Sequence, residues 1–193
     1  VIGTILRIRY ELIQELYQHP LFVAYVARDR VAGRNVCVRL IRPEFAGEKA
    51  FVEKLREIVY RYKSLKHPLI ENYIEVDEHE GVPFIVSEVF RGQLLSDRIE
   101  KLAPFSPHFS VALALSISEA LQVLHQGDMV HGDVAPYHIA CSQDGKVTLL
   151  LPGLWESFSS SRLVGEKVLP LMVPYLAPEI HTYSPPTSAT DIY

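Results

Sequence analysis

The residues that could do chemistry cluster in one stretch. His131-Gly132-Asp133 opens a polar loop, and His138 follows five residues after Asp133. A carboxylate on such a loop can take a proton from a hydroxyl as a general base, or it can shape the loop by accepting backbone N–H groups. Standing alone, Asp133 is read first as the loop-shaping kind. His131, Asp133 and His138 could also be pictured around a metal ion, but their spacing is not that of a zinc site. A second candidate is Arg39, a cation between Cys37 and Ile41 on one face of an apolar strand, where it needs a partner or an open cleft. Ser157, Ser159, Ser160 and Ser161 form a run that could accept phosphate or simply be solvated loop.

Composition narrows the field. Nineteen Lys and Arg against twenty-three Asp and Glu give a net charge of −4 over 193 residues, without the basic excess that phosphate-backbone binding needs. No nucleic-acid partner is expected. Cys37 and Cys141 are the only cysteines, with no Cys-x-x-Cys pair, so neither a disulfide framework nor a cysteine metal site is expected. Both read as buried thiols in a reducing, cytoplasmic setting. No uninterrupted apolar run reaches membrane-spanning length, and no membrane segment is expected within this stretch. The chain opens without Met and stops at Asp191-Ile192-Tyr193, in what reads as the start of a helix, so a fragment is expected.

The elements that must position these groups change character along the chain. Apolar alternation predicts strands through Tyr10-Leu12, Leu21 to Ala27 and Asn35 to Ile41, with Val36, Val38 and Leu40 sharing one face. Phe51, Leu55, Ile58, Tyr62 and Leu65 recur at helical spacing until His67-Pro68 stops them. Strands at Glu71 to Val76 and Val82 to Phe90 follow, joined by a polar turn at Glu78 to Gly81. Beyond Gly92 the pattern becomes helical. Ser106-Pro107 reads as a helix start and Gly127 as its stop, and Phe109 to Leu124 is apolar on nearly every face, which predicts a central, buried helix. A loop over 131–140 and a short strand over 146–151 complete the reading.

In this order, these signposts resemble a eukaryotic-type protein kinase domain in the style of bacterial Ser/Thr kinases. Val36-Cys37-Val38-Arg39 is similar to the strand ending in V-A-I-K, and His131-Gly132-Asp133 to H-R-D. Leu151-Pro152-Gly153 falls at the spacing of D-F-G, Ala177-Pro178-Glu179 matches A-P-E, and Asp191-Ile192-Tyr193 resembles the Asp-led start of the next helix. The resemblance implies an α+β, two-lobe fold: residues 1–92 as the N-lobe and hinge, and 93–193 as a partial C-lobe.

It also implies ATP and Mg²⁺ chemistry, which depends on positioning and charge neutralisation, and here the polar parts are replaced. The glycine-loop positions hold Tyr17, His19 and Phe22, with Pro20 among them, which would crowd a phosphate. Arg39 stands at the lysine position. Glu57 is its natural partner, although counting back from His67 puts Ile58 at the glutamate position. The two Mg²⁺-ligand positions hold Leu151 and His138, and Mg²⁺ prefers oxygen. No metal ligand is therefore assigned. Asp133 keeps the catalytic-base position, but the helper Lys is Ala135, the Thr before A-P-E is Met172, and Gly132 replaces the Arg that would receive an activation-segment phosphate. Leu16, Ala24, Cys37, Ser87, Glu88, Phe90 and Ala140 fall where the family lines its adenine pocket, with Ser87 a small gatekeeper that leaves the back of the cleft open. The expectation is a pseudokinase that binds signalling proteins as a scaffold or allosteric partner. No cofactor is expected; weak ATP binding, or an active Ser/Thr kinase, is the alternative.

Overall fold

A computed structural model describes residues 1–158, 161–168, 173–182 and 184–193. The chain divides into two compact units. The first comprises residues 1–64, 72–89 and 157–173; the second comprises 65–71, 90–156 and 174–193. The main division therefore falls between Val89 and Phe90, and the units are discontinuous where the sequence reading had residues 1–92 and 93–193. Two segments cross to the other side of it. Residues 65–71 join the second unit because Ile70 bridges Leu149 and the Glu71 N–H donates to the Leu149 carbonyl at 2.9 Å. Residues 157–173 join the first through contacts that end at Glu48 and Phe45.

The first unit is a six-stranded antiparallel sheet in the order β1-β2-β3-β4-β6-β5. Its strands are β1 (Ile5–Leu6), β2 (Tyr10–Gln18), β3 (Phe22–Asp29), β4 (Arg34–Ile41), β5 (Tyr73–His79) and β6 (Val82–Glu88). Val36 and Val38 join Leu6, Tyr10, Tyr25, Phe84 and Val86 in one apolar cluster, with Leu40 packed against it, as the alternation predicts. The β5–β6 hairpin turns at Glu80 and Gly81, both at positive φ, the geometry that matches strand twist. The turn before β4 is organised by Asp29. Its Oδ1 accepts the Val31 and Ala32 N–H groups, and Arg9 grips the same carboxylate at 3.0 and 2.8 Å. The Arg9 guanidinium holds the Asp29 pKa down at about 2.

Helices α1 (Pro43–Ala46) and α2 (Lys49–Tyr62) follow β4. The predicted stripe of Phe51, Leu55, Ile58 and Tyr62 is buried, each side chain contributing on the order of 2 kcal/mol by leaving water. The helix ends at Tyr62, short of the predicted stop at His67-Pro68. Leu65 lies outside it, in the second unit.

The second unit is built on a small antiparallel sheet, β7 (Gln93–Leu94), β8 (Ile139–Cys141) and β9 (Val147–Leu149), with helices α3 (Leu95–Leu102) and α4 (Pro107–Gln126). Gly92 leads into it at φ +99°, where a Cβ would lie 2.1 Å from the Cys141 carbonyl oxygen, so only glycine fits. Helix α4 starts as predicted, with the Ser106 hydroxyl accepting from the Phe109 N–H, and stops at Gly127. Its burial differs from expectation. Only Ala120, Leu121 and Leu124 are buried in it, while Val111 and Leu115 are 59% and 66% exposed. A helix apolar all round needs neighbours on every side, and among the described residues α4 has them only along one face. It is also the one described helix long and apolar enough to cross a membrane, with Ser, His and Glu interrupting its apolar residues. Short helices α5 (Trp155–Phe158) and α6 (Arg162–Val168) follow β9.

Candidate active site

In the first unit, Ala24, Cys37, Arg39 and Ser87 lie on the sheet face opposite the Val36–Val38 cluster, whereas Glu88 pairs with Val36 on the cluster's own face. Ala24 pairs with Arg39 across β3–β4, and Cys37 pairs with Ser87 across β4–β6. Ala24, Cys37, Arg39 and Ser87 are fully buried, Leu16 is half-buried and Glu88 is exposed beside Arg34 at 3.6 Å. The Arg39 guanidinium runs along this face. Its Nη1 donates to Ser87 Oγ at 2.8 Å and its Nε to the Tyr17 hydroxyl at 3.1 Å. The space expected to be open beside a small Ser87 is thus occupied by Arg39, a correction that follows from the reach of a planar fork.

The positions read as the glycine loop carry side chains that contact one another. His19 stacks on Phe22 at 4.5 Å, Tyr17 meets Phe22 edge-on at 6.0 Å, and the Arg39 guanidinium lies 5.7 Å from the Phe22 ring. The turn is tied down by the His19 and Phe22 backbones and by Arg42, whose Nε donates to the His19 carbonyl at 3.0 Å. Tyr17, His19, Phe22 and Arg39 thus form one packed group at these positions.

The Arg39–Glu57 pair does not form. Glu57 bonds Lys54 at 2.9 Å with its side chain 58% exposed, and that ammonium lowers its pKa. One residue on a helix is a rotation of about 100°, so with Ile58 facing inward, fully buried, Glu57 must face out.

In the second unit, the loop around Asp133 is held from below by Asp191. Its carboxylate accepts the His131 N–H at 2.8 Å, the Gly132 N–H at 2.6 Å and a bond from His125 Nε2 at 2.8 Å. Both ring nitrogens of His131 are used by backbone: Nε2–H donates to the Leu150 carbonyl at 2.8 Å, and Nδ1 accepts the Asp133 N–H at 3.2 Å. Burial depresses the His131 pKa and keeps the ring neutral. With both nitrogens taken, His131 is not placed to ligate a metal.

Asp133 does not cap the loop backbone, contrary to the reading from sequence. Its Oδ1 accepts the Tyr137 hydroxyl at 3.2 Å, and Oδ2 lies 3.2 Å from His138 Nδ1, whose proton goes to the Asp133 carbonyl at 3.1 Å. Burial and the Asp133 carboxylate push the Tyr137 phenol pKa up strongly. The loop's tight path through Gly132 makes its backbone groups partners for Asp191, which leaves the Asp133 side chain for Tyr137 and His138. Leu151 is buried at φ +57° with its N–H donated to Glu71 Oε2 at 2.8 Å. An alkyl side chain at one position and an imidazole engaged with Asp133 at the other do not fit Mg²⁺. Phe90 is half-buried and Ala140 is fully buried on β8 in this unit. Met172, Ser159 and Ser160 lie outside the described residues.

The protein kinase domain model matches residues 22–193. The chain belongs to the protein kinase family. It is 26% identical over 193 residues to a probable serine/threonine-protein kinase of Clostridium perfringens, and 25% identical to the serine/threonine-protein kinase PrkC of Bacillus subtilis. All of this chain is covered in both, but only 28% and 30% of those proteins, so it spans less than a third of their length. Among solved structures, the PknI kinase domain of Mycobacterium tuberculosis superposes with a TM-score of 0.77 at 18% identity, covering 100% of this chain and 71% of that one. That likeness establishes the kinase fold: an antiparallel sheet with a helix, followed by a helical lobe to which α4 belongs.

Family membership sharpens what sequence reading missed. Glu71, Trp155 and Asp191 shape the loop region without having been singled out for it. Gly132 sits at φ +83°, and a Cβ there would come within 2.8 Å of Trp155 Cβ. The replacement of the family's arginine was visible in the sequence; the tryptophan that goes with it lies 23 residues away and carried no local signal.

Proposed function

We propose that this is a pseudokinase: a kinase-fold domain that binds signalling proteins as a scaffold or allosteric partner, in the cytoplasm, with little or no phosphotransfer. The observation that carries this reading is the occupation of the two metal-ligand positions by Leu151 and His138, the first donating its N–H to Glu71 and the second turned onto Asp133. Kinase catalysis requires metal ions to neutralise the triphosphate, and neither position supplies a hard oxygen ligand. The packed Tyr17–His19–Phe22–Arg39 group supports it from the nucleotide side.

The test is a thermal-shift titration with ATP, with and without Mg²⁺. Saturation at a hundred times Kd would add about 2.7 kcal/mol of stability. A flat response in both conditions agrees with the proposal, and a shift without Mg²⁺ narrows it to weak, metal-free nucleotide binding. A Mg²⁺-dependent shift, with phosphate incorporation abolished by Asp133→Asn, would establish the alternative of an active Ser/Thr kinase.

A further inference from the structure

Residues 69–71 and 149–151 run side by side in the second unit. The Leu149 N–H donates to the Leu69 carbonyl at 2.8 Å, the Glu71 N–H donates to the Leu149 carbonyl at 2.9 Å, and Ile70 bridges Leu149 in parallel. A parallel ladder continues at even spacing, so the next bond would run from the Leu151 N–H to the Glu71 carbonyl. It runs instead to the Glu71 side chain, whose Oε2 accepts at 2.8 Å. The carboxylate stands in for the strand at the point where the chain turns away.

That turn is unfavourable for each partner alone. Leu151 lies at φ +57°, a region that a bulky alkyl residue rarely enters, and Pro152 favours an extended residue before it. Such a backbone persists only where its surroundings fix it. Glu71 is 4% exposed, and a carboxylate removed from water needs donors. On the other side, the Leu150 N–H donates to the His138 carbonyl at 2.8 Å and the Gly153 N–H to the His131 carbonyl at 3.1 Å. These bonds flank Leu151 and leave its own amide to Glu71. Trp155 follows, 2% exposed and packed on Gly132.

We propose that Glu71 is a conformational latch, its carboxylate holding Leu151-Pro152-Gly153 in the turned form that buries Leu151 and seats Trp155 on Gly132. Glu71 is a positioning residue that acts through the Leu151 amide. With that acceptor lost, Leu151 relaxes toward the extended backbone that Pro152 favours, and the chain that follows lifts Trp155 off Gly132. While latched, the segment keeps a buried alkyl side chain at the position that the family resemblance gives to a metal ligand. The latch concerns conformation and holds whether or not the chain transfers phosphate.

Trp155 is the only tryptophan of the chain, so its emission reports this segment directly. In the unmodified chain, the Leu151 amide is expected to exchange as slowly as those of Leu149 and Leu150. Glu71→Met keeps length and burial but removes the acceptor. Trp155 emission is expected to shift to longer wavelength with easier quenching by acrylamide, and the Leu151 amide to exchange about tenfold faster, the factor that one hydrogen bond is worth. Glu71→Gln retains an acceptor oxygen and is expected to restore both readouts, with the Val36 and Val38 amides of the first unit unchanged throughout. Rapid exchange of Leu151 in the unmodified chain overturns the proposal without any variant. Unchanged emission and exchange in Glu71→Met overturn it as well, as does a loosening that Glu71→Gln fails to reverse or that spreads to Val36 and Val38.

Discussion

The two units hold their candidate functional residues in different ways. On the sheet of the first unit, side chains hold one another: Tyr17, His19, Phe22 and Ser87 lie around Arg39. Around the loop of the second unit, Asp191 and His131 hold the main chain. The difference teaches where each half keeps its stability. The sheet side rests on side-chain packing, which tolerates replacement only when neighbours change together. The loop side rests on side-chain bonds to its backbone, from the Asp191 carboxylate and the His131 ring.

That contrast can be broken experimentally, most severely at Asp191. Asp191→Ala leaves the buried His131 and Gly132 N–H groups without their acceptor and should cost about 3–5 kcal/mol in chemical denaturation. A cost under about 1 kcal/mol would mean that the loop is held otherwise. Next in size is Gly132→Arg, which restores the family residue. Positive φ and the approach to Trp155 make it destabilising by about 2–3 kcal/mol, and a neutral result would refute the backbone argument. Arg39→Lys substitutes the family residue on the packed side. It gives up the fork between Tyr17 and Ser87 and should lower stability by about 1–2 kcal/mol. Glu57→Gln, by contrast, should change stability by less than about 0.5 kcal/mol, because its side chain is 58% exposed beside Lys54. A loss of about 3 kcal/mol there would put Glu57 back beside Arg39.

Acid sharpens the same comparison. His131 has its pKa lowered by burial, so its contribution is fully present above the unfolded value near 6.5 and declines as pH falls toward the folded value. Asp29, held at about 2 against an ordinary 3.8, keeps its contribution until pH drops below about 4 and loses it through about 2. The loop side should therefore loosen first on acidification. Hydrogen exchange at His131 and Gly132 against Val31 and Ala32 at pH 5 reads the order directly, and earlier loosening at Val31 would reverse it.

Much of the fold was legible because it is written in short-range patterns. Alternation located β3, β4 and β6 and the face of Val36 and Val38; the Phe51–Tyr62 stripe located α2; Ser106-Pro107 and Gly127 bounded α4. The spaced signposts gave the family. What sequence could not supply was the rotation and reach of individual side chains. A one-residue offset decided that Ile58, and not Glu57, faces inward, which reads clearly only once the helix is placed. Composition alone made α4 a buried helix, although burial depends on which neighbours are present.

The sequence by itself determined the elements and the family, because residue type and local spacing set these. Tertiary structure alone decided that Arg39 turns to Tyr17 and Ser87, that Asp191 anchors the His131 loop, and that Ser161 meets Glu48 across 113 positions of chain. Those pairings depend on where distant segments come to rest, and no local preference of the chain encodes such a distance.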